Sequence, residues 1–178
     1  DFSKGLNEFN LFKSEFQLQQ VEQNVWEPIG PINYEYGESW SPGQGRVNCI
    51  IEDPTNSQIL YVGTPSGGVW KSYDGGNNWD PITDELSVLG ISHIEINPIN
   101  TDELYIATGD ADGGDTYSIG IWKSLDAGLT WVQTSFPEAQ CNRLVIDPNN
   151  TEVIWASSNY GLYKSLDSGQ NWNLLYDG

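Results

Sequence analysis

Short apolar runs, each closed by an acidic or amide residue and a proline, recur three times along the chain. They are residues 46–54 (Arg-Val-Asn-Cys-Ile-Ile-Glu-Asp-Pro), 91–98 (Ile-Ser-His-Ile-Glu-Ile-Asn-Pro) and 141–148 (Cys-Asn-Arg-Leu-Val-Ile-Asp-Pro). A turn cluster follows each time: Thr-Asn-Ser, Ile-Asn-Thr-Asp and Asn-Asn-Thr. Asn and Asp mark turns because their side chains bond locally to the backbone and tolerate unusual dihedrals. A second apolar run comes next, at 59–63, 103–107 and 153–157. A third, opened by glycine, lies at 68–72, 120–124 and 161–165, and a fourth starts at Trp79, Trp131 or Trp172. Four short β-rich runs per unit, with turns between them, predict a four-stranded antiparallel blade. The three blades span residues 45–83, 89–135 and 140–176.

Between the third and fourth runs lies one motif in three copies. They read Ser72-Tyr-Asp74-Gly-Gly76-Asn-Asn-Trp79, Ser124-Leu-Asp126-Ala-Gly128-Leu-Thr-Trp131 and Ser165-Leu-Asp167-Ser-Gly169-Gln-Asn-Trp172. A lysine (Lys71, Lys123, Lys164) and an aromatic residue (Trp70, Trp122, Tyr163) precede each copy. This is the chemistry of a tight hairpin turn. The Asp accepts backbone N–H groups, the Gly takes a dihedral that other residues resist, and the Trp packs the blade. Asp74, Asp126 and Asp167 are therefore structural, since a carboxylate already spent on a turn is a poor catalyst.

The motif resembles the Asp box of bacterial-neuraminidase-type repeats, found in sialidases, family 74 xyloglucanases and sortilin-type receptors. Gly45-Arg46-Val47, Asp53-Pro54 and Tyr61-Val62-Gly63-Thr64-Pro65-Ser66-Gly67-Gly68-Val69-Trp70-Lys71-Ser72 carry a further likeness. It is to secreted bacterial propellers with sortilin-like repeats, often exported by type IX secretion. The resemblance covers about residues 26–178. It implies an all-β propeller whose first strands line a central channel. Loops joining blades, and loops joining strands two and three, then share one face, with the motif turns on the other. Asn78 and Asn171 stand where the family usually has Thr, which weakens one side-chain bond.

Three blades do not close a ring, which typically needs four to eight. Trp26-Glu-Pro-Ile-Gly-Pro31 resembles the fourth strand Trp79-Asp-Pro-Ile-Thr83 but has no strands before it. Open arcs expose strand edges, so the chain reads as the N-terminal part of a longer propeller. Residues 1–24 carry Phe2, Leu6, Phe9, Phe12 and Phe16 among polar residues. That spacing fits an amphipathic arm as well as a plain leader.

A net charge of −18 with seven basic residues argues against nucleic acid, whose phosphates need Lys and Arg. No run of about 20 apolar residues is present to span a bilayer. The acidic balance suits an extracellular protein, a cation binder or a basic partner, or solubility alone. Cys49 and Cys141 fall in equivalent strands two blades apart. A disulfide tolerates a Cα separation of only about 7 Å, so two buried thiols are expected.

The loop between strands two and three is where the units differ. Pro54 to Ser72 and Pro148 to Ser165 are 18 and 17 positions, but Pro98 to Ser124 is 26. The excess contains Asp110, Asp112 and Asp115 among glycines, and such oxygen ligands can hold Ca²⁺; a solvated acidic loop is the plain alternative. Tyr34, Tyr36 and Trp40 of the entry loop can stack on sugar rings or contact a peptide, or Trp40 can plug the loop's own small core. Arg46, Asp84, Glu85, Tyr117 and Tyr160 complete the expected ligand face. Cys49, His93 and Arg143 share one level of the channel strands, and no third group orients a Cys–His pair for nucleophilic work.

Glycoside hydrolysis needs two positioned carboxyl groups. The family 74 resemblance places one, as Asp after Thr, where this chain has Thr64-Pro65. The sialidase arginine cluster is also missing, with Arg46 and Arg143 the only arginines. The sequence therefore points to a secreted or cell-surface binding module for extracellular polysaccharide or protein, handled by secretion machinery during export. The alternative is a xyloglucanase-like hydrolase whose catalytic residues lie partly outside this chain.

Overall fold

The computed structural model describes residues 45–111, 114 and 116–177. Twelve strands form three four-stranded antiparallel sheets. The first sheet holds β1 (Cys49–Asp53), β2 (Asn56–Gly63), β3 (Val69–Ser72) and β4 (Asp80–Pro81). The second holds β5 (Ile91–Ile96), β6 (Leu104–Thr108), β7 (Ile121–Ser124) and β8 (Val132–Gln133). The third holds β9 (Cys141–Ile146), β10 (Ile154–Ser158), β11 (Gly161–Ser165) and β12 (Asn173–Asp177). Each strand pairs with its neighbour in sequence, the meander of a propeller blade. In the first two blades the fourth strand is only two residues long.

The residue before each strand-one proline builds the first turn. Asp53 Oδ1 accepts from Thr55 N at 2.8 Å, Asn97 Oδ1 from Ile99 N at 2.9 Å and Asp147 Oδ1 from Asn149 N at 2.9 Å. Proline has no N–H to compete, so the side chain reaches past it to the next amide.

The three motif turns share one hydrogen-bond scheme. The serine hydroxyl donates to the aspartate (Ser124 Oγ to Asp126 Oδ1, 2.8 Å) and accepts from the glycine amide (Gly128 N, 2.9 Å). The aspartate accepts the amide two residues beyond the glycine at 2.8 Å in every copy. Its second oxygen accepts from Thr130 Oγ1 at 2.6 Å, and from the amides of Asn78 and Asn171 at 2.6 and 2.7 Å. The Asn copies thus retain the side-chain bond. These bonds hold Asp74 and Asp167 below the usual carboxylate range and bring Asp126 down to about 2.

Cross-strand register assigns the two faces of every blade. One row runs Ile51–Tyr61–Lys71, Glu95–Tyr105–Lys123 and Val145–Trp155–Lys164. The opposite face carries Ile50–Val62–Trp70, Ile94–Ile106–Trp122 and Leu144–Ala156–Tyr163. The core lies between blades. Tyr61, Val69 and Ile51 of the first blade pack on Ile94, Ile106, Leu104 and Trp122 of the second. Tyr105, Ile121 and Phe136 of the second pack on Leu144, Ile154, Ala156 and Tyr163 of the third. Each fully buried aliphatic side chain contributes about 1.5–3 kcal/mol. Phe136 also meets the rings of Tyr163 and Trp172 edge-on, at 5.0 and 5.1 Å.

The motif glycines sit at these junctions. At Gly128 (φ +92°) a Cβ would lie 2.5 Å from Ile82 of the preceding blade, and at Gly169 (φ +82°) it would lie 3.3 Å from Tyr105. The left-handed backbone and the close approach both call for glycine. Cys49 and Cys141 are free thiols, Cys141 buried as expected and Cys49 only half-buried.

Candidate functional site

The ends of the inner strands, with the loops between strands two and three, form the site. These loops are stitched together across blades. Ile91 N donates to Thr64 O at 2.8 Å, Gly109 N to Gly90 O at 2.7 Å, and Thr116 Oγ1 to Pro65 O at 2.9 Å. The long loop of the second blade is thereby fastened onto the first. Its Asp110 is buried and pairs with Arg46 from the start of the first blade. Asn48 Nδ2 donates to Asp110 Oδ1 at 3.3 Å and to Ile91 O at 2.9 Å.

Around this pair opens a cavity of about 470 Å³ lined by Arg46, Val47, Asn48, Ser92, Ala111 and Asn142. It draws on all three blades and is mainly polar. Ser92 Oγ is spent on Cys141 O at 2.6 Å, tying β5 to β9. Asn48, Ser92 and Asn142 were missed from sequence because a polar residue in an apolar strand carries no sign of which face it lines.

One level further along the inner strands lie Cys49, His93 and Arg143, opposite Gly63, Ala107 and Ser157 in register. Burial pushes the Cys49 thiol up to about 11. His93 Nδ1 accepts from Leu144 N at 3.4 Å, and burial, with Arg143 nearby, lowers its pKa to about 4. A thiol that burial keeps protonated is not an activated nucleophile, and an imidazole that is neutral and already occupied by Leu144 N is not its base. Glu95 Oε1 likewise accepts from Ile146 N at 3.3 Å, and burial raises its pKa. Both side chains accept buried backbone amides of β9, the next inner strand.

The structure therefore joins Arg46 to Asp110, assigned from sequence to ligand and metal respectively. Glu85 lines a separate cavity of about 430 Å³ beside Trp122, Leu129 and Trp131. Asp84, Tyr117 and Tyr160 are exposed. Tyr34, Tyr36, Trp40, Asp112 and Asp115 lie outside the described residues. Among the described residues no group of three His, Cys, Asp or Glu side chains is placed to hold a metal ion.

Residues 67–178 match the family model Sortilin-Vps10 (sortilin, neurotensin receptor 3). The chain belongs to the Sortilin-Vps10 family. This Sortilin-Vps10 chain is also 28% identical over 148 residues to a xyloglucanase from Paenibacillus sp., covering 74% of the chain but 14% of that enzyme. Among solved structures it superposes on the GH74 xyloglucanase from Xanthomonas campestris with a TM-score of 0.63 at 25% identity, covering 74% of this chain and 21% of the other. The GH74 enzyme of Niastella koreensis gives 0.60 at 30% identity, covering 76% and 22%. The three sheets are thus blades of a β-propeller, and the chain spans about a fifth or less of the length of these relatives. Among the described residues no helix is long and apolar enough to cross a membrane.

Proposed function

We propose that the intact protein is a glycoside hydrolase of the xyloglucanase type, acting on extracellular polysaccharide, and that this chain supplies part of its glycan-facing wall. The carrying observation is the polar cavity shared by three consecutive blades beside Arg46 and Asp110, in a chain whose relatives are xyloglucanases. A glucan is long and uncharged. It suits a groove of amide and hydroxyl groups, with the exposed rings of Tyr117 and Tyr160 as stacking platforms. A net charge of −18 disfavours polyanionic glycans by simple repulsion. Tyr34, Tyr36, Trp40, Asp84 and Glu85 remain the further ligand residues of this reading. The catalytic carboxyl pair lies at least partly outside this chain, because Pro65 holds the place of one Asp and Asp110 is engaged by Arg46. We also infer secretion or surface display, with type IX export as the route suggested by the sequence resemblance.

Those same two facts favour a second reading, in which the propeller binds polysaccharide or protein without cleaving it. Incubating the intact protein with xyloglucan separates the two. Release of reducing ends supports the hydrolase. Retardation in a xyloglucan gel without release supports the binder. Neither release nor retardation refutes a polysaccharide role.

A further inference from the structure

The lysines before the first two motif turns do the same work at their junctions. Lys71 donates to Ala127 O in the turn of the second blade at 2.9 Å, and Lys123 donates to Ser168 O in the turn of the third at 3.3 Å. Each ammonium also lies over the tyrosine of strand two in its own blade, 5.0 Å from the Tyr61 ring centroid and 5.1 Å from that of Tyr105. At the first junction a second ring joins. Tyr73, the residue after the motif serine, brings its centroid to 4.6 Å from Lys71 Nζ, and Lys71 is buried.

At the second junction that second ring is missing. Leu125 stands in the place of Tyr73 and is 66% exposed. Among the described residues Tyr105 is the ring that meets Lys123, and Lys123 is half-buried. A cavity of about 580 Å³ opens beside it, walled by Lys123, Leu125 and Val132 of the second blade and by Ser168, Gly169 and Gln170 of the third. Apolar walls with an ammonium suit the face of an aromatic ring, whose π electrons attract a cation. Gln170 and Ser168 offer amide and hydroxyl groups to a polar tip on that ring. The cavity lies beside β8, which pairs with β7 alone and so leaves a backbone edge open to an extended chain. The two turns that flank it carry Asp126 and Asp167, whose turn bonds hold both below the usual carboxylate range. These charges favour a basic occupant.

We propose that this cavity binds a tyrosine side chain presented by an extended, basic polypeptide of a partner protein. The ring takes over Lys123 the place that Tyr73 takes over Lys71. The cavity shares no lining residue with the one beside Arg46 and Asp110, so occupancy of the two is independent.

Equilibrium dialysis of the intact protein against acetyl-Lys-Tyr-Lys-amide, at millimolar concentration, tests this directly. Leu125→Tyr supplies the missing ring from within and should lower the bound peptide by one per chain, whereas Leu125→Ala should leave it unchanged. Both variants keep the turn, since the first blade already carries tyrosine at this position and Leu125 is exposed. Replacing the tyrosine of the peptide by cyclohexylalanine removes the π face and should weaken binding about twofold to thirtyfold. Acetyl-Glu-Tyr-Glu-amide should bind more weakly than the lysine peptide. A bound count that Leu125→Tyr does not change overturns the proposal, as does equal binding of the cyclohexylalanine peptide. Binding of p-cresol as tight as that of the lysine peptide would make the occupant a free phenol and overturn the polypeptide.

Discussion

Ser124→Ala isolates the hydrogen-bond scheme of the motif turn. Ser124 is buried, and its hydroxyl both donates to Asp126 and accepts the Gly128 amide. Removing the oxygen leaves that amide in a closed turn, with Gly128 wedged against Ile82 and Leu104, where water cannot replace it. An orphaned buried N–H costs about 1–3 kcal/mol, and the lost serine–aspartate bond adds about 1 kcal/mol. The total expected is about 2–4 kcal/mol. For a protein of this size each kcal/mol lowers Tm by roughly 2–4 °C, so melting should fall by about 4–16 °C. Calorimetry of Ser124→Ala beside Leu125→Ala gives the answer, because Leu125 is exposed and should move stability by no more than about 0.5 kcal/mol. If the two variants melt within a degree of each other, the turn is not held by this hydroxyl and the reading of all three turns fails.

The chain has one histidine, so its NMR titration is unambiguous and should show a midpoint near 4 for His93. Because that folded value lies below the ordinary 6.5, the neutral imidazole's contribution to stability is complete above 6.5 and is lost as pH falls toward 4; His93→Gln should flatten the melting curve in that window. The motif aspartates act lower. Their depressed values contribute stability above the ordinary carboxylate range that is lost as pH falls toward about 2 at Asp126, and Asp126→Asn should remove that part of acid denaturation. Burial raises the Cys49 and Cys141 thiols to about 11 and 12, so a thiol reagent at pH 8 should label neither until denaturant is added. A calcium ion in the acidic loop would depend on Asp112 and Asp115, since Asp110 is held by Arg46. Melting with calcium against chelator, in wild type and Asp112→Ala/Asp115→Ala, checks that expectation, and equal melting temperatures refute it.

The blades were legible because their signals are local. The Asp-Pro or Asn-Pro stop uses an amide two residues away, and the motif closes within five positions. The same locality made the level of Cys49, His93 and Arg143 readable from the repeat. What escaped was long range. Asp110 and Arg46 are 64 positions apart, and Lys71 and Ala127 are 56 apart. An acidic loop in sequence gives no sign that one of its carboxylates is buried under an arginine, and a lysine before a turn looks like ordinary surface charge. His93 reads from sequence as a polar residue of the channel level, whereas it and Glu95 serve backbone amides of β9.

Because both cores among the described residues are shared by two sheets, a lone blade has little to fold around. During synthesis the first blade gains the covering of Ile94, Leu104, Ile106 and Trp122 only when β7 at Ile121–Ser124 has left the ribosome. At 5–20 residues per second the stretch from Val69 to Ser124 takes roughly 3–11 s. For that time Tyr61, Val69 and Ile51 are exposed to chaperones and to neighbouring nascent chains, and the speed of translation, more than any property of the finished fold, sets how long the risk lasts.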